Sequence, residues 1–304
     1  MEDQFYQKLY QILPEGRIKL KEPMENHTTL RIGGPADYFV TPTGINEIKE
    51  IISLCKKDSI PYYVLGNGSN LLVSDQGYRG LIIHLEENFS EVSITPDGIV
   101  TAQAGILLSK LANLIAKQGF TGFEFAAGIP GTLGGAVTMN AGAYGGEMKQ
   151  CLTGAKVLDT NGNILSLEKE ELELGYRTSI LQRKDYILLE ASMKLSKDNS
   201  DDVFARMQEL NRQRREKQPL DQCSAGSTFK RPEGYFAGKL ISDAGLRGYQ
   251  IGGAAVSEKH CGFLINKDNA SAKDFLSLIQ EVVRIVEEKF GVTLEPEVRL
   301  LGDF

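Results

Sequence analysis

The segment VLGNGSNLLVSDQGYRG, beginning at Val64, offers successive backbone N–H groups between Gly66 and Leu71, with the short polar side chains of Asn67, Ser69 and Asn70 beside them. Main-chain donors gathered in this way form a nest for phosphate, and the same composition also makes a plain polar turn. It is not a dinucleotide fingerprint of the G-x-G-x-x-G type, because Leu71 stands where the third glycine belongs. A second segment, FAAGIPGTLGGAVTMNAGAYGGE from Phe125 to Glu147, has almost no side-chain volume. Such a run suits backbone laid against a large planar or extended ligand, which core packing alone would not ask for. It lacks the Gly-Lys-Ser/Thr of a P-loop, and GYFAGK has only three residues between Gly234 and Gly238, so nucleotide hydrolysis is disfavoured.

A third segment, RQRREKQPLDQCSAGSTFKRPEG over 212–234, concentrates Arg212, Arg214, Arg215, Lys217, Lys230 and Arg231 around the small turn Ser224–Thr228. In a chain of net charge −6 this is the place for an anion, and it reads equally as a solvated basic helix end. Cys55, Cys151, Cys223 and Cys261 are far apart and form no C-x-x-C, so neither a metal site nor a disulfide framework is expected, and the thiols read as buried or idle. His27 reads as a polar loop residue and His260 as a partly packed one.

These segments need a scaffold. A chain of 304 residues predicts two domains, and 41% hydrophobic with 24% charged residues is an ordinary globular balance. The net negative charge gives no general attraction for nucleic acid or anionic lipid. The first residues carry Glu2 and Asp3 and no apolar run of signal-peptide length, and nowhere do 18 apolar residues follow one another, so a cytoplasmic protein without a membrane span is expected. Residues 44–58 predict a helix, with Ile45, Ile48, Ile51, Ile52 and Cys55 on one stripe, feeding a strand at 62–65. Further strands are expected at 81–85, 92–95, 99–102, 155–158 and 186–189, and a helix at 107–117. The polar stretch 196–202 reads as the boundary, followed by a helix over 203–217 with Val203, Met207 and Leu210 inward. Ser271 and Asp274 make a capping box for a last helix, and 292–301 reads as a closing strand. The first two thirds read as α+β or α/β.

Seven pieces in order, NHTTLRIGGPADYFV, VLGNGSNLLV, GIPGTLGGAVTMNAGAYGGE, GYRTS, GSTFKRP, IGGAAVSEKHCGFLIN and LEPEVRLLG, closely resemble the UDP-N-acetylenolpyruvoylglucosamine reductase family (MurB), flavoenzymes of bacterial cell-wall synthesis. The resemblance runs from about residue 26 to 302. It implies an FAD-binding region of the vanillyl-alcohol-oxidase (PCMH) type over 17–200 and a smaller α+β substrate-binding domain over 201–304. It implies non-covalent FAD, NADPH as co-substrate, and reduction of the enolpyruvyl ether of UDP-N-acetylglucosamine to UDP-N-acetylmuramate, a peptidoglycan precursor on which cell shape and division depend. Hydride would pass from NADPH to FAD and then to the enolpyruvyl group.

The resemblance also assigns roles. Ser227 in GSTFKRP is the implied proton donor, Arg177 in GYRTS the partner of the carboxylate, and Glu297 in LEPEVR the third member. These types suit the chemistry, since a guanidinium binds a carboxylate bidentately and a serine of ordinary acidity needs help, for which Lys230 is the nearest cation in sequence. For FAD it points to Asn67, Gly68, Ser69 and Asn70 on the pyrophosphate, to Gly128, Gly131, Thr132, Gly134 and Ala136 along the flavin and adenine, and to Arg31. For the substrate diphosphate it points to Arg214, Lys217 and Lys259. No metal is implied. The segment 196–202, SKDNSDD, is short and holds no aromatic, which resembles the short form of the family and leaves open what covers the substrate. A flavin oxidase of the same fold and a non-catalytic nucleotide-sugar binder are the competing readings.

Overall fold

The computed structural model describes residues 4–304. The described residues form two compact units, one of 4–19 with 38–67 and 81–214, the other of 20–37, 68–80 and 215–304.

The first unit is built on a five-stranded antiparallel sheet in the order Ile164–Glu168, Leu152–Leu158, Ile187–Lys194, Ile99–Gln103, Val92–Ile94. Of the three inner strands, Leu152–Leu158 and Ile187–Lys194 are mostly apolar, whereas Ile164–Glu168, at one edge, alternates half-buried and exposed positions. Helix Leu108–Lys117 buries Leu108, Leu111, Ala112, Ile115 and Ala116, a stripe at helical spacing. The expected helix at 44–58 is Ile45–Lys57, burying Ile48, Ile51, Ile52 and Cys55, and it leads to Tyr62–Leu65, which pairs in parallel with Leu81–His84. Burial pushes the thiols of Cys55 and Cys151 up to about 12, so both are inert at neutral pH.

The second unit holds a four-stranded antiparallel sheet, Cys223–Ser224, Leu264–Asn266, Ala254–Val256, Gln250–Ile251. Its long helix, Ala272–Phe290, starts on the expected box: Ser271 accepts from Asp274 N, and Asp274 accepts from Ser271 N. Its buried face, Phe275, Leu278, Ile279, Val282 and Val286, joins Leu30, Ile32 and Leu72 in one core.

The compact units divide at 214/215, inside helix Ser200–Lys217, where the sequence placed a domain boundary near 201. The polar residues that read as a linker have local duties: Ser196–Lys197 pairs with Phe120–Thr121, and the Ser200 hydroxyl donates to Ala116 O at 2.8 Å. Residues 20–37 and 68–80 join the second unit because Leu30, Ile32 and Leu72 are buried in its core. The closing strand shrinks to Arg299–Leu301, parallel to Leu71–Val73, since Pro296 interrupts the run. In the 200–217 helix Val203 and Met207 are buried and Leu210 only partly so. Among the described residues no helix is long and apolar enough to cross a membrane.

Candidate active site

In the first unit the two glycine-rich segments meet. A Cβ on Gly66 would run into the Thr132 hydroxyl, so only glycine allows the approach. Asn67 Nδ2 donates to Pro130 O at 2.8 Å, which spends one amide donor of a residue expected on the pyrophosphate. The run 131–136 is then stitched down by main-chain bonds: Leu108 N to Gly131 O, Leu133 N to Ile106 O and Gly134 N to Ala104 O, at 2.7–2.9 Å. Thr132, buried, caps helix Leu133–Thr138, and Ala136 is buried in its first turns. Gly128 faces helix Ser200–Lys217, where a Cβ would lie 2.7 Å from Asn211 Oδ1 and 3.0 Å from Arg214 Cδ.

Arg214 therefore sits against the glycine-rich segment, and its Nε is buried without a partner. Burial holds its guanidinium below the usual arginine range, with Tyr144 acting in the opposite direction. A desolvated cation with an unused donor is completed by an anion, which is what a diphosphate supplies.

Arg177 lies on a two-residue turn. Gly175 and Thr178 exchange main-chain bonds of 3.1 and 3.3 Å, leaving Tyr176 and Arg177 at the tip, where Arg177 has φ +56°. Its guanidinium lies 5.3 Å from the centre of the Tyr176 ring. Three side chains pin the turn to the end of the glycine-rich segment. Gln182 Nε2 donates to Thr138 O at 2.7 Å and to Arg177 O at 3.2 Å, the Ser179 hydroxyl donates to Thr138 O at 2.7 Å, and Asn140 donates to Gly175 O at 3.0 Å. Residues 196–202 are taken up by the Ser196–Lys197 pairing and the start of helix Ser200–Lys217.

In the second unit Ser227 and Glu297 are neighbours although 70 positions separate them in sequence. Glu297 N donates to Thr228 O at 2.7 Å, Phe229 bridges Pro296, and Lys230 N donates to Glu295 O at 2.8 Å. Thr228 is buried, giving its N–H to Gly262 O and accepting Leu264 N on its hydroxyl at 3.1 Å. Ser227, between Gly226 at φ +76° and this anchor, is exposed, while Glu297 is half-buried. Asn70 fixes the other side of Glu297: its Nδ2 donates to Glu297 O at 3.2 Å and its carbonyl accepts Arg299 N at 3.0 Å. Gly68 has φ +58°, a Cβ there would collide with His27 O, and Ser69 lies half-buried beside it.

The remaining expected residues are placed elsewhere or otherwise engaged. Lys230 is ion-paired with Glu295, so its charge is committed to a carboxylate rather than kept for the Ser227 hydroxyl. Lys259 Nζ donates to Arg215 O at 2.5 Å, tying down the end of helix Ser200–Lys217. Lys217 is exposed on that helix's last turn. Arg31 is exposed at φ +53°, with its carbonyl accepting from Asn266 Nδ2 at 3.4 Å. His27 lies 2.7 Å from Glu22, and His260 packs on Phe263 with its pKa lowered, chiefly by burial. Asn140, Gln182 and Thr228 were not singled out in the sequence, although Asn140 is the one amide side chain in a run of glycine, alanine and small residues.

Residues 218–301 match the C-terminal domain of UDP-N-acetylenolpyruvoylglucosamine reductase, and residues 36–168 match a family of FAD binding domains. The UDP-N-acetylenolpyruvoylglucosamine reductase of Lachnoclostridium phytofermentans is 56% identical over 306 residues, covering 100% of this chain and 99% of its own. The chain belongs to this family. The homologous reductase of Caldanaerobacter subterraneus subsp. tengcongensis is 52% identical over 97% of both chains. The crystal structure of the reductase (MurB) from Thermus caldophilus superposes with a TM-score of 0.78 at 37% identity, covering 94% of this chain and 98% of that one. A glucose dehydrogenase, Phl p 4.0202, shares the fold alone, with a TM-score of 0.51 at 16% identity over 64% of this chain and 44% of that one. The chain is thus an FAD-dependent oxidoreductase of the MurB family with the expected α+β architecture.

Proposed function

We propose that this enzyme reduces UDP-N-acetylenolpyruvoylglucosamine to UDP-N-acetylmuramate with NADPH, in the cytoplasm, as a step of peptidoglycan synthesis that supports cell shape and division. The observation that carries this reading is the pairing that brings Glu297 against Thr228, the residue next to Ser227, from segments about 70 positions apart. Bound FAD would supply the hydride-carrying chemistry between NADPH and the enolpyruvyl double bond. Asn67, Gly68, Ser69, Asn70 and Arg31 are the candidates for its pyrophosphate end, and Gly128, Gly131, Thr132, Gly134 and Ala136 for its ring systems. The packed main chain at 66 and 131–134, with so few side chains, fits an extended planar group. The unpartnered Arg214 Nε fits a diphosphate, with exposed Lys217 adding long-range attraction and Lys259 acting through the helix end.

The residues then divide the work. Addition of hydride to the terminal carbon of the enolpyruvyl group leaves an electron pair on the neighbouring carbon, delocalised into the carboxylate. The Arg177 guanidinium binds that carboxylate and strengthens its hold as charge develops. The exposed Ser227 hydroxyl gives its proton to the carbon, and solvent restores it. Glu297, fixed by Asn70 and Thr228, orders the hydrogen bonds around the serine.

The test is a visible spectrum followed in two stages with wild type and Ser227→Ala. Wild type should be yellow, bleach with NADPH and recover colour on adding the enolpyruvyl nucleotide. Ser227→Ala should bleach at nearly the wild-type rate and recover about 10²–10⁴ times more slowly, the usual contribution of a positioned general acid. A colourless protein that cannot be reconstituted with FAD overturns the cofactor assignment. Equal slowing of both stages makes the serine structural, and slowing of neither moves the proton to another donor.

A further inference from the structure

We propose that Asn140 is a positioning residue for Arg177, holding the arginine turn in register with the glycine-rich segment so that the guanidinium can meet the substrate carboxylate. The inference rests on the reading of Arg177 as the carboxylate partner. Asn140 is 1% exposed and sits in the left-handed region at φ +41°, where asparagine is among the few side chains tolerated. Every polar atom of its amide is used. Oδ1 accepts Lys149 N at 2.9 Å, and Nδ2 donates to Glu147 Oε2 at 3.1 Å and to Gly175 O at 3.0 Å.

The arrangement has a direction. Gly175 is the base of the turn that carries Arg177, closed by its reciprocal bonds with Thr178. Glu147 is itself locked, since its carboxylate and Gln150 form the capping box of helix Met148–Cys151. Asn140 follows directly on helix Leu133–Thr138, whose first residues are candidates for the flavin side. One buried amide thus fixes the base of the arginine turn to the closing end of the glycine-rich stretch. A carboxylate of the same shape cannot do this: it has no hydrogen to give Gly175 O, and it would face the Glu147 carboxylate at hydrogen-bond distance.

The bland reading, a buried amide that only stabilises the fold, predicts different measurements. The experiment uses FAD-loaded wild type, Asn140→Asp, Arg177→Ala and the double variant, each checked for flavin content and melting temperature. Calorimetry with the oxidised holoproteins compares the enolpyruvyl nucleotide with UDP-N-acetylglucosamine, which lacks the carboxylate. Asn140→Asp should bind the enolpyruvyl nucleotide about tenfold more weakly and UDP-N-acetylglucosamine unchanged, as expected when one charged contact is misplaced. Its colour recovery with substrate should slow by about 10–100-fold while NADPH bleaching stays near wild type, the scale of loss from misplacing a catalytic group. The double variant should be no slower than Arg177→Ala, because residues acting through one another are not additive. Equal weakening of both nucleotides, equal slowing of both stages, or additive losses would overturn the proposal. If Arg177→Ala itself behaves as wild type, the carboxylate reading fails and this inference with it; if Arg177→Ala is impaired and Asn140→Asp is not, only the positioning role fails. Should Asn140→Asp not fold, the smaller and neutral Asn140→Ser carries the same comparison.

Discussion

The turns that present Arg177 and Ser227 solve one problem in two ways. Each puts a polar side chain beside a backbone position with positive φ, Arg177 at its own +56° and Ser227 after Gly226 at +76°. The arginine turn is pinned by side chains, the amides of Asn140 and Gln182 and the hydroxyl of Ser179, all bonding to main-chain carbonyls. The serine turn is pinned mainly by main chain, through Thr228 to Gly262 and Glu297 and through Lys230 to Glu295, with the Thr228 hydroxyl and the Asn70 amide added. The lesson is that function around Arg177 depends on residues whose identity can be lost by one substitution. Around Ser227 most neighbours could change without moving the hydroxyl, because the ladder bonds do not depend on side-chain type.

The contrast can be strained from its strongest point downward. Arg214, like Arg177, works by side chain alone, so Arg214→Leu should raise KM for the enolpyruvyl nucleotide by about 10–100-fold, a charged hydrogen bond being worth ~1.5–3 kcal/mol. FAD retention should be unchanged, and Lys217→Ala, at an exposed position, should show a much smaller effect that fades with salt. Steady-state kinetics at two ionic strengths decides this, and equal effects of the two variants would remove the special status of the buried guanidinium.

Next comes the buried side chain in the serine turn's support. Thr228→Val leaves the buried Leu264 N–H without its hydroxyl acceptor at 3.1 Å and should cost about 1–3 kcal/mol of stability in urea unfolding. Gln182→Leu, in the half-buried arginine turn, should cost less stability and more activity. The reverse order would mean that the two turns are supported alike.

The smallest expected effect concerns His260 in the second unit. Its Nδ1 accepts Gly262 N at 3.1 Å, and burial first, with Arg247 adding, holds its pKa below the ordinary 6.5. The folded state therefore resists a proton that the unfolded chain takes up. Its contribution to stability is present above about pH 6.5 and is lost as pH falls through the lowered folded value. His260→Gln should slightly flatten the decline in melting temperature between about pH 7 and 5. An unchanged slope would place the acid sensitivity elsewhere.

Much of the scaffold was legible along the chain. Helices Ile45–Lys57, Leu108–Lys117 and Ala272–Phe290 emerged from apolar spacing and one capping box, because those signals are local. The strand expected through 292–301 was not, since an apolar alternation cannot show that the run breaks into a bridge at Pro296 and a three-residue strand beside Leu71–Val73. The boundary read near 201 has a similar cause: polar residues in a linker and polar residues capping a helix look alike until Ser200 is seen donating to Ala116 O. In the site, Ser227, Arg177 and Glu297 stood out by resemblance and not by their own chemistry, which single exposed or half-buried polar residues do not advertise. Lys230 shows the opposite error, where closeness in sequence suggested help for Ser227 and the tertiary structure gives the charge to Glu295.

The residues alone determined the class of the protein, the positions of its main helices and the two glycine-rich tracts, because composition, periodicity and absent side-chain volume act over a few consecutive residues. Only the tertiary structure decided that Glu297 lies next to Thr228, that Asn70 holds it there, that half-buried Arg214 has a shielded and unused Nε, and that Asn140 carries the base of the arginine turn. Those facts depend on hydrogen bonds and desolvation between segments tens to hundreds of positions apart, and no local pattern encodes which distant carbonyl an amide will find.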